Sequence, residues 1–133
     1  MIVKLLKHTK EPEKTCAIAG RLCYSASNIE ELEKKLDESK IKDILSKIIK
    51  SGHLSVLEHA SFTFAVEGVS RALLAQLTRH RIASFSVQSQ RYVKFKNGID
   101  CVVPPTILKN KALYAEYADF LKNTQKLYLK MLD

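Results

Sequence analysis

A chain of 133 residues with 22 Lys and Arg against 14 Asp and Glu, net charge +8, fits one domain with a modest core. Its apolar fraction of 46% and charged fraction of 27% are ordinary for a soluble globular protein, and no apolar run is long enough to cross a bilayer. The opening MIVKLLKHTK is too short and too charged for a secretory signal. Three cysteines make neither a disulfide framework nor a metal-ligand spacing, so the expectation is a reduced, cytoplasmic protein with structural thiols.

In chain order, IVKLL predicts a short strand or an extended arm. From Glu13 to about Tyr24 the pattern is helical, with Pro12 near the start, and Cys16 and Cys23, seven apart, are expected to face one core. Asn28 can cap a second helix, whose first turn holds Glu30 and Glu31 where the helix dipole favours acids. Ile41, Ile44, Leu45, Ile48 and Ile49 then follow the amphipathic helical template, with Gly52 placed to end the helix.

The period then changes. In ASFTFAVEG, Phe62, Phe64 and Val66 alternate with polar or small residues, predicting a strand with one buried face. Ser70 can cap a short helix that carries Leu73, Leu74 and Leu77 inward and ends near Arg79. Beyond Arg81 the period drops toward two, so Phe85, Val87, Ser89 and Arg91 are expected on one side of an extended segment. Asn97-Gly98 is a turn signal, and Pro104-Pro105 stops any strand through Cys101, Val102 and Val103. From Lys111 the residues Leu113, Tyr117, Phe120, Leu127, Tyr128 and Met131 keep helical spacing, with no stop signal before the chain ends. Such a stripe must lie on something, so a partner chain or a missing continuation is expected.

The charge is unevenly spread. Between Glu67 and Asp100 there is no carboxylate, yet Arg71, Arg79, Arg81, Arg91, Lys94 and Lys96 fall there. Guanidinium forks match phosphate oxygens two bonds at a time, and Ser84, Ser86, Gln88 and Gln90 supply neutral donors and acceptors that can read a base or ribose edge. A solvated basic loop is the plainer reading, and a nucleic-acid module with Phe85 and Tyr92 stacking on bases is another. His53 and Ser55, after the predicted helix end, are ligand contacts or simple caps. Glu58 and His59 could equally be a structural pair. Ser89 with His80 lacks a glycine elbow and an orienting acid, and no glycine-rich phosphate loop is present.

Arg79-His80-Arg81, seven residues, then Ser89-Gln90-Arg91-Tyr92 resembles the signature of the flavin-dependent thymidylate synthases. Gly52, His53, Glu58, His59, Phe62, Thr63 and Phe64 resemble the approach to that motif. The resemblance runs from about residue 40 to 93, and more loosely over residues 1–133 as a single domain, the N-terminal portion of such an enzyme.

The resemblance implies a mixed α+β fold with a central, mostly antiparallel sheet flanked by helices, truncated at its C-terminus, in a homotetramer with shared active sites. It implies methylation of dUMP to dTMP, with 5,10-methylenetetrahydrofolate as carbon donor, FAD as hydride source and NADPH to reduce it. No nucleic acid, membrane or metal is implied. Arg79, His80 and Arg81 are expected at FAD, with Ser55 near it and His53 near folate and flavin. Gln76, Arg79, Gln88, Ser89, Gln90 and Arg91 are expected at dUMP. Val87 stands where the family often has a glutamine or an acid, so a flavin contact there must use backbone. The later half of the family's chain supplies a further arginine for the uracil, so binding without turnover, by an inactive fragment, is an alternative. No residue here is assigned a catalytic role.

Overall fold

The computed structural model describes residues 1–132. In order these are β1 (Ile2–His8), α1 (Pro12–Leu22), α2 (Ile29–Lys35), α3 (Glu38–Lys50), a 3₁₀ turn (Leu54–His59), β2 (Phe62–Glu67), α4 (Arg71–Leu77), α5 (Pro105–Leu108) and α6 (Lys111–Leu132). Helices and one antiparallel strand pair make the fold mixed α+β. The chain divides into two compact units, Met1–Glu67 and a second beginning at Gly68.

In the first unit, side-chain caps start α2 and α3. The Asn28 amide oxygen accepts the Glu31 N–H at 2.9 Å, as its position predicts, and the Asp37 carboxylate does the same for Lys40 at 2.9 Å. At the end of α3, Gly52 takes φ 73°, and its N–H donates to the Ile49 carbonyl while the His53 N–H donates to Ile48, both at 3.1 Å. This paired closure needs a left-handed residue at Gly52, and it fixes where His53 begins.

The core is small: Cys16, Ile48 and Val56, with Ala19, Ile44, Leu45, Leu57 and Ala60 packed around them. Gly20 lets α1 approach α3, since a Cβ there would lie 2.5 Å from Ile48 Cδ1. The Cys16 thiol donates to the Leu57 carbonyl at 3.8 Å. Cys23 does not join it. α1 ends at Leu22, and Cys23 is exposed at the cap, its thiol turned back to the Ala19 carbonyl. Ile49 is likewise exposed, because the 3₁₀ turn covers only the Ile48 side of α3.

β1 and β2 pair antiparallel, with Val3 opposite Val66, Leu5 opposite Phe64 and His8 opposite Phe62. Leu6 is the extra residue of a bulge between Leu5 and Lys7. The sheet end is latched by Thr9, whose N–H donates to the Ser61 carbonyl at 2.9 Å and whose hydroxyl accepts the Ser61 N–H at 2.9 Å. The alternation in β2 matches the sequence, but its apolar face is open: Phe62 and Phe64 remain half exposed, stacked at 6.4 Å between ring centres.

In the second unit Asn110 caps α6 by accepting the Leu113 N–H at 3.1 Å. The inward stripe of α6 is Tyr117, Leu121, Gln125 and Tyr128, while Leu113, Phe120, Leu127 and Met131 are exposed. Polar anchors set this rotation. The Tyr128 hydroxyl accepts the Phe95 N–H at 3.1 Å, and the Gln125 amide donates to the Phe95 carbonyl at 3.0 Å. A count of apolar residues alone does not see them. Among the described residues no helix is long and apolar enough to cross a membrane.

Two outcomes follow from these environments. The Lys40 N–H, and then the Lys40 ammonium at 3.0 Å, hold the Asp37 carboxyl below its ordinary pKa. That stabilisation is complete above the unfolded carboxylate pKa and is lost as pH falls through the lowered folded value. Asp37→Asn keeps a capping oxygen without the charge. Its melting temperature should lie below wild type at neutral pH, with the gap closing under acid titration. Burial pushes the Cys16 thiol up, opposed by the Ala60 backbone. Native alkylation should therefore label Cys23 and Cys101 rapidly and Cys16 only on unfolding.

Candidate functional site: an acid-free basic segment

The Ser70 hydroxyl starts α4 by accepting the Leu73 N–H at 3.1 Å. Leu74 and Leu77 are half-buried, while Leu73 is exposed. At the other end, the Arg79 N–H donates to Gln76 and the His80 N–H to Leu77, both at 3.1 Å. These bonds span three residues rather than four, so the last turn tightens and the chain leaves the helix. Arg79, His80 and Arg81 are all exposed there, and Gln76 is exposed on the helix above them. Ile82 follows at φ 59°, a left-handed conformation that is unfavourable for a β-branched residue. Strain of this kind gathers at functional sites and persists where the surroundings over-determine it.

Residues 83–92 differ from expectation. The period-two pattern predicts an extended segment, but residues 83–89 join no strand ladder and a turn follows at 90–92. Ser89 closes the turn. The Ser89 hydroxyl accepts the Arg91 N–H at 3.2 Å, and the Ser89 carbonyl accepts the Val93 N–H at 3.1 Å. Ser89 and Arg91 are thus joined by a turn rather than by strand alternation. Val87, Gln88, Gln90 and Arg91 are exposed and Ser89 is half-buried. Arg71 Nη2 donates to the Gln88 carbonyl at 3.2 Å. Tyr92 is 85% exposed.

His53 and Ser55 belong to the first unit. The closure at Gly52 sets His53, and the 3₁₀ turn carries Ser55 exposed, with Val56 anchoring it in the core. The Tyr24 hydroxyl lies 3.5 Å from His53 Nδ1, the outer limit of a hydrogen bond, with the rings edge to face at 6.1 Å. Tyr24 carried no signal in the sequence that linked it to His53. Glu58 and His59 are both exposed, and among the described residues no ion pair joins them.

The ion pairs among the described residues are Lys14–Glu11, Lys35–Glu31, Lys40–Asp37 and Lys47–Asp43, all in the first unit. Within the described residues, none involves a cation of the acid-free segment. Arg79, Arg81 and Arg91 thus keep guanidinium donors available, and the same stretch of chain also carries the Ser89 hydroxyl and the Gln76, Gln88 and Gln90 amides. That donor set fits a phosphorylated ligand, and its scarcity of acids fits an anionic one.

Comparison with known proteins gives the family. The profile described as thymidylate synthase complementing protein matches residues 4–133. The chain belongs to the thymidylate synthase complementing protein family. Within that family it is 48% identical over 129 residues to the flavin-dependent thymidylate synthase of Clostridium tetani, covering 97% of this chain and 51% of that one. It is 55% identical over 108 residues to the enzyme of that name from Geobacter sulfurreducens, covering 80% and 47%. With the one from Nitratidesulfovibrio vulgaris it shares 45% over 131 residues, covering 95% and 53%. The chain spans about half the length of these curated relatives. No solved structure matches it.

The strained residue beside the Arg79-His80-Arg81 turn makes a direct prediction. A left-handed conformation costs an L-residue about 1–2 kcal/mol, and glycine's extra unfolded-state freedom offsets about 0.5–1 kcal/mol of any relief. Ile82→Gly should therefore be neutral or stabilising by up to about 1.5 kcal/mol in denaturant melts. A clear loss of stability would show that the Ile82 side chain, not the backbone, matters there.

Proposed function

We propose that this chain acts in flavin-dependent synthesis of thymidylate. In this reading dUMP is methylated to dTMP, 5,10-methylenetetrahydrofolate is the carbon donor, and FAD reduced by NADPH is the hydride source. The observation that carries it is the Arg79-His80-Arg81 turn followed by Ser89-Gln90-Arg91, set in a segment without carboxylates, in a chain of this family. The relatives' shared name supports flavin and thymidylate as the chemistry.

When bound, the flavin and folate supply hydride and one-carbon chemistry, which leaves the protein the tasks of binding and alignment. Arg79, His80 and Arg81 would hold the flavin nucleotide, with Val87 contributing backbone, Ser55 contributing from the 3₁₀ turn, and His53, just before that turn, lying near folate and flavin. Arg91 would take two oxygens of the dUMP phosphate while the Ser89 hydroxyl donates to a third. Gln76, Arg79, Gln88 and Gln90 would fix the nucleoside. The protein would work as a cytoplasmic homotetramer whose sites draw on several subunits. Ser89 is a ligand in this reading and not a nucleophile, since no base lies in its turn to activate it.

Purified protein should show the visible absorbance of bound flavin, or acquire it on titration with FAD; a protein that stays colourless at saturating FAD removes the reading. Arg91→Ala should weaken dUMP by roughly 10- to 100-fold, the worth of a charge-assisted phosphate contact. FAD affinity should change little. Equal loss of both ligands in calorimetry would make the segment scaffold.

A further inference from the structure

The first turn of α4 holds an arginine where the helix dipole disfavours one. Arg71 is the first residue after the Ser70 cap, and no acid accompanies it in that turn. A cation there opposes the partial positive charge of the helix N-terminus. The side chain does not simply extend into water. Nη2 reaches seventeen positions along the chain and donates to the Gln88 backbone carbonyl at 3.2 Å.

The acceptor lies in a segment with little else to hold it. Residues 83–89 join no ladder, and the bonds around Ser89 close a turn only on itself. Among the described residues, the Arg71 guanidinium makes the one hydrogen bond that ties residues 83–92 to another element. Its acceptor immediately precedes Ser89. A planar, permanently charged fork suits this work, because the bond is charge-assisted and survives any change of pH the fold survives.

We propose that Arg71 is a positioning residue, whose bond to the Gln88 carbonyl fixes the Ser89–Arg91 turn in the shape that grips a nucleotide phosphate. The phosphate part rests on the function proposed above; the anchoring of the turn does not. A tie to α4 also places that turn relative to Gln76 on the same helix. Side-chain ordering is then spent before the ligand arrives, which is how preorganisation raises affinity.

The test compares Arg71→Met, which keeps the stem without donors or charge, with Arg71→Lys, which keeps the charge and one kind of donor. Millisecond amide exchange reads the turn directly, with the Arg91 and Val93 N–H groups as reporters. Arg71→Met should speed their exchange about tenfold and weaken dUMP about tenfold, as loss of one charge-assisted bond implies. FAD affinity should move less than twofold, and the melting temperature should change little, because the bond holds one loop and relief of the dipole contact offsets part of its loss. Unchanged exchange at both reporters overturns the proposal. So does loss of protection throughout the second unit with a lowered melting temperature, which would mark Arg71 as general scaffold. Arg71→Lys should restore dUMP affinity only as far as it restores protection; full affinity with a fast-exchanging turn would mean long-range attraction instead, and also overturns it. If wild-type protein binds no dUMP, the proposed function fails, while the exchange arm still decides whether Arg71 anchors the turn.

Discussion

Like charges on a short length of chain repel, and residues 68–99 carry Arg71, Arg79, Arg81, Arg91, Lys94 and Lys96 against no carboxylate. Much of the second unit follows from that constraint. No ion pair holds the segment within the described residues, so backbone devices do: a serine cap, a tightened last turn, a left-handed isoleucine and a serine-centred turn. Each places a cation without neutralising it. The first unit differs, since Lys14, Lys35, Lys40 and Lys47 meet carboxylates three or four residues away, where such pairs are of small individual worth. The difference is one of balance: the first unit carries acids among its cations, and the segment from 68 to 99 carries none.

Two of the four histidines, His53 and His80, are likewise set by main-chain geometry. His53 stands directly after a glycine whose left-handed conformation closes α3, and His80 stands in the last three-residue bond of α4. In both places a helix ends and a histidine emerges with its N–H already satisfied. The imidazole rings remain free of strong partners, apart from the long contact between His53 and Tyr24.

How far these features could be read from the sequence depended on whether they are local. Asn28, Ser70, Gly52 and the start of β2 were legible because caps, stops and period-two patterns act within a few residues. The Arg-His-Arg turn was legible as a motif, and its position at the end of α4 was as well. Whatever required distant partners was not. Cys23 misses the core because α1 stops one residue short of it, and α6 turns away from its apolar stripe because Tyr128 and Gln125 hold Phe95. Ser89 and Arg91 looked like neighbours on a strand, since alternation cannot distinguish a strand from a turn that serine closes. The reach of Arg71 to Gln88 has no periodic signature at all.

The bulge at Leu6 bears on how this strand pair can vary. Seven residues of β1 are matched to six of β2, and the surplus is absorbed at one place. Val3 and Leu5 before it, and His8 after it, therefore still meet Val66, Phe64 and Phe62 in step. A length change of one residue, which would invert the facing of everything beyond it in an unbroken ladder, is already accommodated here. Insertions and deletions at this spot should thus be tolerated across related chains far more readily than at Val3 or Phe64, where no slack has been built in.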